Sequence, residues 1–153
     1  SNSILEFSEV ERNALIDVNI KGVFLTCQAV AKIMIQQKSG NIITIASDSA
    51  INVAEGEGPY CDSTSGVVVF TKHLAKELGR YGIRVNASEP GWIRTDMTEF
   101  VWADPAKLKV AESEIYLGYM AQPEEIGSVT LFLASNASRY ITGQLLVVNG
   151  GRI

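Results

Sequence analysis

Apolar side chains recur along the chain with two periods, one typical of amphipathic helices and one typical of buried strands. Ser8 and Glu11 have the spacing of a capping box, and apolar residues three or four apart follow until a glycine at position 40. This pattern predicts a helix over residues 9–38. The unbroken apolar run at 42–46 then predicts a strand that is covered on both faces, as in a parallel sheet.

The rest of the chain alternates between the same two patterns. The predicted elements are a loop at 55–59, a helix at 60–78, a strand at 82–87 that ends at Pro90-Gly91, helices at 104–118 and 123–135, and a strand at 145–148. Helices alternating with strands predict parallel strands joined by right-handed crossovers, which is a doubly wound α/β sheet. In such a sheet the functional loops follow the carboxyl ends of the strands.

Composition narrows the possible functions. The chain has 153 residues, of which 46% are hydrophobic and 20% charged, which fits one soluble domain over 1–153. A net charge of −4, without clusters of basic and aromatic residues, argues against nucleic acid and anionic membranes as partners. The apolar runs are too short for a signal sequence or a membrane span. We therefore predict a cytoplasmic protein.

The two cysteines, Cys27 and Cys61, lie far apart in predicted helices. Their spacing matches neither a zinc site nor a disulfide framework, so we expect reduced thiols and no bound metal.

Three polar features lie where a doubly wound sheet places its functional groups. Ser47 ends the strand at 42–46, Tyr60 follows thirteen residues later, and the turn Pro90-Gly91-Trp92-Ile93-Arg94-Thr95 begins thirty residues after Tyr60. Both Ser47 and this turn follow predicted strands, so we expect them at the same edge of the sheet.

Together these residues resemble the short-chain dehydrogenase/reductase family. Asn19, in Asp17-Val18-Asn19-Ile20-Lys21-Gly22, resembles the family's helix asparagine, Ser47 its catalytic serine, Tyr60 its catalytic tyrosine, and residues 90–95 its cofactor turn. The strings at 122–126, 132–135 and 141–144 extend the likeness to the carboxyl end. The resemblance implies a partial Rossmann-like doubly wound parallel sheet made of the later strands and helices only, without the family's Gly-rich loop.

The resemblance also implies a function, NAD(P)-dependent hydride transfer between a small-molecule alcohol and a ketone. Tyr60 would be the acid or base and would also contact the cofactor, Ser47 would hydrogen-bond the substrate oxygen, and Asn19 would hold a relay water. Four residues of the turn would contact the nicotinamide of NAD or NADP, namely Pro90, Gly91, Ile93 and Thr95.

Two positions depart from the family. Thr64 stands where the family has a lysine, four residues after the tyrosine, and it cannot supply a positive charge. Lys72 is no substitute, because a helical rise of about 1.5 Å per residue puts it roughly 18 Å beyond Tyr60. Glu89 stands where the family has a small or neutral residue. Its carboxylate would repel the phosphates of a bound cofactor unless it points outward. We therefore expect weak or absent activity.

Each candidate also has a purely structural interpretation. Ser47 is a strand-end hydroxyl that would satisfy a loop amide, Asn19 a helix-interior amide, and Thr95 a turn or capping residue. Tyr60 alone is more typical of a packed aromatic with a wet hydroxyl. The apolar residues after the turn, Met97, Phe100, Val101 and Trp102, are expected either to line a substrate lid or to pack in the core.

Two other functions compete with hydride transfer. A hydrolase built on Ser47 and His73 is disfavoured, because Ala46-Ser47-Asp48 is not a nucleophile elbow and His73 lies among lysines. The stronger alternative is a catalytically degenerate member of the family. It would act as a homo-oligomer, a dimer or tetramer, through the helices at 9–38 and 60–78. The strand at 41–47 lacks a neighbour on one side, and an apolar edge strand promotes aggregation. We therefore expect either another chain against that edge or that the sequence is a fragment of a longer protein.

Overall fold

A three-stranded parallel sheet forms the centre of the structure, a computed structural model that describes residues 3–152. Its strands are β1 (Gly40–Ile45), β2 (Ile83–Pro90) and β3 (Leu145–Val148), with β2 in the middle. The register runs from Gly40 opposite Ile83 to Ile45 opposite Ser88, and from Ala87 opposite Leu145 to Pro90 opposite Val148. The predicted parallel sheet is confirmed.

In the described part of the chain, six α-helices connect and cover these strands. They are α1 (Glu9–Ile16), α2 (Val23–Gln37), α3 (Gly58–Leu78), α4 (Glu99–Trp102), α5 (Pro105–Ser113) and α6 (Pro123–Ala134). The helices that were predicted at 60–78 and 123–135 are therefore present, within two residues at each end.

The first long helix contains a segment that the apolar pattern did not reveal. α1 and α2 are joined without a break by the π-helical segment Asp17–Gly22. Its start agrees with the prediction, because Ser8 Oγ accepts from the Glu11 amide and the Glu11 carboxylate accepts from the Ser8 amide. A π-helical turn adds a residue without changing apolar spacing enough to be noticed, and such segments occur frequently at functional sites.

Two predicted boundaries were wrong. α3 begins at Gly58 rather than after the loop 55–59, because Pro59 is tolerated in a first helical turn. β2 ends at Pro90, as predicted, and its carboxyl-terminal part pairs with β3. The helix predicted at 104–118 ends at Ser113, and the chain then turns through Gly118, whose φ is 78°.

Helices lie on both faces of the sheet, as a doubly wound fold requires. On one face α2 and α3 bury the main core, which comprises Cys27, Ala31, Ile42, Leu74, Ala75, Leu78, Ile83 and Val85. On the other face, side chains of β1 and β2 hydrogen-bond the backbone at the end of α6 and in the segment that follows it. Asn41 Nδ2 donates to the Leu133 carbonyl at 2.7 Å, and Asn86 Nδ2 donates to the Ile141 carbonyl at 3.0 Å.

A second, smaller core lies after the turn that follows β2. Val101, Ala111, Ile115 and Met120 are buried there, against Trp92, Trp102 and Leu108. It fastens α4 and α5 over the carboxyl end of the sheet. Both cysteines are free and buried.

The helix Glu9–Gln37 is long and apolar enough to cross a membrane by length and composition alone. In the fold, however, Cys27 and Ala31 of this helix belong to the main core. A core helix of a globular protein passes the same test of length and composition, so that test does not distinguish the two.

Candidate active site

The amino-terminal half of α3 gathers the three predicted catalytic residues. Tyr60 lies in its first turn, and Asn19 of the π-helical segment reaches it through Ser63. Asn19 Nδ2 donates to Ser63 Oγ at 2.9 Å, and Ser63 Oγ donates to the Tyr60 carbonyl at 2.8 Å. Ser63 is fully buried, so this chain of hydrogen bonds is shielded from solvent. Asn19 thus bonds a side chain of another helix rather than the nearby backbone.

The π-helical segment packs closely on α3. A Cβ atom added at Gly66 would lie 2.8 Å from Ile20 Cδ1, so the absent side chain at Gly66 makes room for Ile20. This close crossing is what brings Asn19 within reach of Ser63.

Ser47 lies directly after β1 and is 8% exposed. Its Oγ accepts from the Ser49 amide at 3.2 Å and so caps the single 3₁₀ turn Asp48–Ala50. Ser65 Oγ of α3 donates to the Ala50 carbonyl at 3.3 Å, which holds this turn against α3. Ser47 therefore has the capping role that its strand-end position suggested, and its own hydroxyl proton is still available for a substrate oxygen.

Tyr60 and Thr64 are neighbours on α3 with different surroundings. The Tyr60 side chain is half-buried, and its hydroxyl has no hydrogen-bond partner among residues 3–152. Thr64 is 4% exposed, and its hydroxyl lies 3.2 Å from the Tyr60 carbonyl and 3.1 Å from the Cys61 carbonyl, within donating distance of both. Thr64 thus satisfies the helix backbone and places no charge beside Tyr60.

The turn after β2 lies beside the segment that follows Ser47. A Cβ atom at Gly91 would lie 2.5 Å from Asn149 Cβ and 3.2 Å from Asp48 Oδ2, so only glycine fits between them. This is a packing reason for Gly91, in addition to the close approach of a cofactor that the resemblance implies. Pro90 ends β2 at the same edge of the sheet.

Ile93 and Thr95 continue this turn. Ile93 is 8% exposed and forms a parallel bridge with Ala121, while its amide has no acceptor among residues 3–152. Thr95 caps the 3₁₀ turn Asp96–Thr98 by a reciprocal bond with Thr98 and is exposed. The free Ile93 amide at the carboxyl edge of the sheet fits the carbonyl of a nicotinamide carboxamide. Thr64, by contrast, does not fit the charged contact that a lysine makes there.

The side chain of Glu89 points into the protein. It therefore lacks the outward orientation that was expected to keep its charge away from the phosphates of a bound cofactor. It is 1% exposed, and its Oε1 has no hydrogen-bond partner in the described part of the chain. Burial raises the pKa of this carboxyl, Lys72 partly opposes that rise, and Asp48 adds to it. The carboxyl is therefore directed into the protein rather than toward a bound phosphate.

A charged cluster around Arg152 was not predicted from the sequence. Its guanidinium lies 3.4 Å from Asp48 Oδ2 and 3.2 Å from Glu114 Oε2, and it stacks over the Trp92 ring at 5.4 Å from the ring centroid. Asn149 Nδ2 also approaches Asp48 Oδ2, at 3.4 Å. These residues are up to 104 positions apart, so no local spacing connects them.

An apolar groove of about 420 Å³ opens beside this cluster. Its lining comprises Trp92, Phe100, Val101, Ala106, Lys107, Val110, Ala111 and Glu114. Of the predicted lid residues, Val101 is buried and Phe100 is 63% exposed at the groove, so both expected roles, core packing and lining, are present. Met97, 77% exposed, lies outside the lining.

The competing catalytic groups are not arranged as a site. His73 lies on an exposed face of α3, as its lysine-rich neighbourhood suggested. It pairs with Glu77 at 3.4 Å. Within residues 3–152, no three His, Cys, Asp or Glu side chains form a group that would hold a metal ion.

Comparisons with known proteins agree with this geometry. A family model described as enoyl-(acyl carrier protein) reductase matches residues 1–152. The chain is 42% identical over 151 residues to the 3-oxoacyl-(acyl-carrier-protein) reductase FabG of Thermotoga maritima, covering 98% of this chain and 60% of that protein. It is 45% identical over 141 residues to the Synechocystis 3-oxoacyl-(acyl-carrier-protein) reductase, covering 92% of this chain and 55% of that protein.

Among solved structures, a gluconate 5-dehydrogenase from Burkholderia cenocepacia in complex with NADP and tartrate superposes with a TM-score of 0.95 at 33% identity. It covers 98% of this chain, which spans 59% of that one. A 4-hydroxyisoleucine dehydrogenase complexed with NADH also superposes with a TM-score of 0.95 at 33% identity, with 98% and 62% coverage. The chain thus spans about 60% of the length of the proteins that it matches.

Proposed function

Because the chain belongs to the short-chain dehydrogenase/reductase family of oxidoreductases, we propose that its site serves NAD(P)-dependent hydride transfer between an alcohol and a ketone. The observation that carries this proposal is the convergence on α3 of Asn19, the turn after Ser47, and Tyr60. Within the described residues 3–152, the Tyr60 hydroxyl has no hydrogen-bond partner.

Each residue has a role that its contacts support. When bound, a nicotinamide supplies or accepts the hydride. Ser47 donates its hydroxyl proton to the substrate oxygen, while its Oγ accepts from the Ser49 amide. Tyr60 gives a proton to that oxygen during reduction and removes it during oxidation. Asn19, bonded to Ser63, holds a relay water at the π-helical segment.

Four residues of the turn, together with Tyr60, form the nicotinamide side of the proposed site. Pro90 and Gly91 shape the strand end, the Ile93 amide offers a free donor, and the exposed Thr95 hydroxyl lies nearby in sequence. NAD and NADP are both compatible with these contacts, and the solved relatives named above hold one or the other.

Thr64 sets the expected rate. A free phenol has a pKa near 10 and is a poor base at neutral pH unless a nearby cation favours its ionised form. Since the buried Thr64 hydroxyl serves only the helix backbone, that cation is missing at this position. We therefore propose weak or no turnover by this chain alone.

The groove beside Trp92 suggests the class of substrate. It is lined mainly by apolar side chains, with Lys107 and Glu114 as its charged members. A small-molecule ketone or alcohol with an apolar portion fits this lining best. We further propose that the protein is cytoplasmic and acts on neither nucleic acid nor membranes, as its charge and composition predict.

The test is a titration of the purified chain with NADH and NADPH, followed by nicotinamide fluorescence, beside a Thr64→Lys variant. We expect saturable binding by the wild type and turnover of an apolar ketone that is gained only by the variant. A Thr130→Lys variant, which changes a helical threonine away from the site, is the matched control and should gain nothing.

The second candidate function is a catalytically degenerate family member that acts as a homo-oligomer, a dimer or a tetramer. The observation that favours it is the exposed apolar surface of the long helices, where Phe24, Leu25, Ile33 and Val69 are 43–66% exposed. If neither form binds either nucleotide while light scattering shows an oligomer, hydride transfer fails for this chain and this function replaces it.

A further inference from the structure

Arg152 joins two parts of the site that are otherwise separate. On one side it pairs with Asp48, the residue after Ser47, and on the other with Glu114, which follows α5. Its main chain takes part as well, because the Arg152 carbonyl accepts from Asn52 Nδ2 at 3.2 Å and from Asn149 Nδ2 at 2.8 Å. Residue 152 therefore contacts both ends of the segment 48–52.

The pair with Asp48 is deeply buried and the pair with Glu114 is not. The side chains of Asp48 and Arg152 are 3% and 15% exposed, whereas that of Glu114 is 48% exposed. A buried carboxylate needs a charged partner, so Asp48 depends on Arg152. Because the Ser47 hydroxyl caps the turn that starts at Asp48, anything that moves Asp48 also moves Ser47.

The other side of Arg152 faces the groove. Trp92 and Glu114 both line it, and Arg152 stacks on the first and pairs with the second. The backbone just before Arg152 also contacts the segment that follows Glu114, because the Leu117 amide donates to the Gly150 carbonyl at 3.0 Å. The groove wall and the segment after Ser47 thus meet at one guanidinium.

We propose that Arg152 is a positioning residue that couples the groove wall at Glu114 to the segment that carries Ser47. A planar guanidinium suits this role, because it donates in two directions while its face stacks on an aromatic ring. The position of α5 over the groove then fixes the orientation of the Ser47 hydroxyl. The catalytic consequence rests on the proposed function, whereas the coupling itself does not.

Hydrogen-exchange mass spectrometry on the purified chain tests the coupling directly. The two readouts are peptides that cover residues 47–52 and 106–117. The informative variant is Glu114→Gln, because it replaces the ionic contact on the half-exposed side by at most a neutral hydrogen bond and leaves the buried pair of Asp48 and Arg152 intact. We expect exchange to rise roughly threefold or more at 106–117 and also at 47–52, since contacts that share a network are coupled.

Two variants accompany it. Arg152→Gln is expected to raise exchange roughly tenfold in both peptides, and Arg152→Lys is expected to restore the wild-type rate only in part. The matched controls are Glu99→Gln, an exposed acid of the lid region, and Arg139→Gln, an exposed arginine outside the site. Both should leave the two peptides unchanged.

One outcome overturns the proposal. Suppose that Glu114→Gln speeds exchange at 106–117 and leaves 47–52 at the wild-type rate. Arg152 then makes two independent structural contacts and does not couple the groove wall to the segment that carries Ser47. Should Arg152→Gln fail to fold, Glu114→Gln still decides, because it does not disturb the buried pair.

A turnover measurement separates this inference from the proposed function. In the Thr64→Lys background, Glu114→Gln is expected to lower kcat about threefold with the KM for the nicotinamide unchanged, since Glu114 lines the groove and is not among the proposed nicotinamide contacts. If Thr64→Lys shows no turnover, the proposed function fails, while the exchange rates still confirm or refute the coupling.

Discussion

At the scale of single residues, the buried carboxyl of Glu89 makes stability depend on pH. Its pKa is raised by burial, so the folded chain holds this proton more tightly than the unfolded chain does. Its contribution to stability is therefore most favourable below the unfolded pKa of about 4.3. That contribution is lost as the pH rises through the higher pKa of the folded state.

Glu89→Gln tests this reasoning, because glutamine has the same shape and cannot ionise. We expect the variant to have a higher free energy of unfolding than the wild type at pH 8, by about 1 kcal/mol or more, since a buried charged group without a partner is costly. The difference should shrink toward pH 4. Urea denaturation at pH 4, 6 and 8 would measure it. A constant difference across this range would contradict the assignment, and the exposed Glu99→Gln should show none.

At the scale of elements, the hydrogen bond between Asn19 and Ser63 ties the first long helix to α3. It is the contact through which the π-helical segment reaches the site, and one of its partners is fully buried. A net contribution of about 1 kcal/mol is typical of such a bond.

A double-mutant cycle of Asn19→Ala and Ser63→Ala measures this contribution. We expect a coupling of about 1 kcal/mol in the free energy of unfolding, because the two groups bond each other directly. Thr26→Ala with Ser63→Ala is the matched control, since the Thr26 hydroxyl donates to the Gly22 carbonyl of its own helix. Additive effects in the first pair would show that the two helices are only packed together.

The elements also show how far sequence reasoning extends. Some features were predicted from contacts or periods within a few residues. They are the capping box of Ser8 and Glu11, the strand at 145–148 and the end of α3 at Leu78. The π-helical segment was missed because one extra residue hardly changes the apolar period. The Arg152 cluster was missed for another reason, since its members come together only after the sheet has formed.

The candidate site divides along the same line. Asn19, Ser47 and Tyr60 were predicted because the order of short motifs along the chain resembles that of the family, and the fold brings their segments to α3. The inward direction of Glu89 was not foreseen, because strand alternation decides it only when the end of β2 is known. The catalytic roles of Asn19, Ser47 and Tyr60, and the cofactor contacts of Tyr60 and the turn, remain predictions.

At the scale of the whole molecule, the outer edge of β1 is where we expect one chain to pair with another. Among residues 3–152, β1 pairs only with β2, and Ile45 at its end is 53% exposed. Unpaired backbone groups beside exposed apolar side chains favour pairing with another strand.

Ile45→Lys should slow aggregation of the chain, because a charged side chain on an edge strand opposes strand addition. We expect a severalfold lower rate of increase in static light scattering at a fixed concentration. Ile51→Lys is the matched control, since Ile51 is 59% exposed but lies outside the strands. An equal effect of both variants would mean that net charge, and not the strand edge, controls aggregation.

The π-helical segment Asp17–Gly22 has a consequence for related chains of different length. A π-helical turn takes up one residue more than an α-helical turn, so the α-helices before and after it keep the same sides toward the core. A chain with one residue fewer here would close this turn as an ordinary α-helix and would lose the bulge that carries Asn19 toward Ser63. This segment is therefore where a single-codon deletion would alter the site while leaving the sheet untouched.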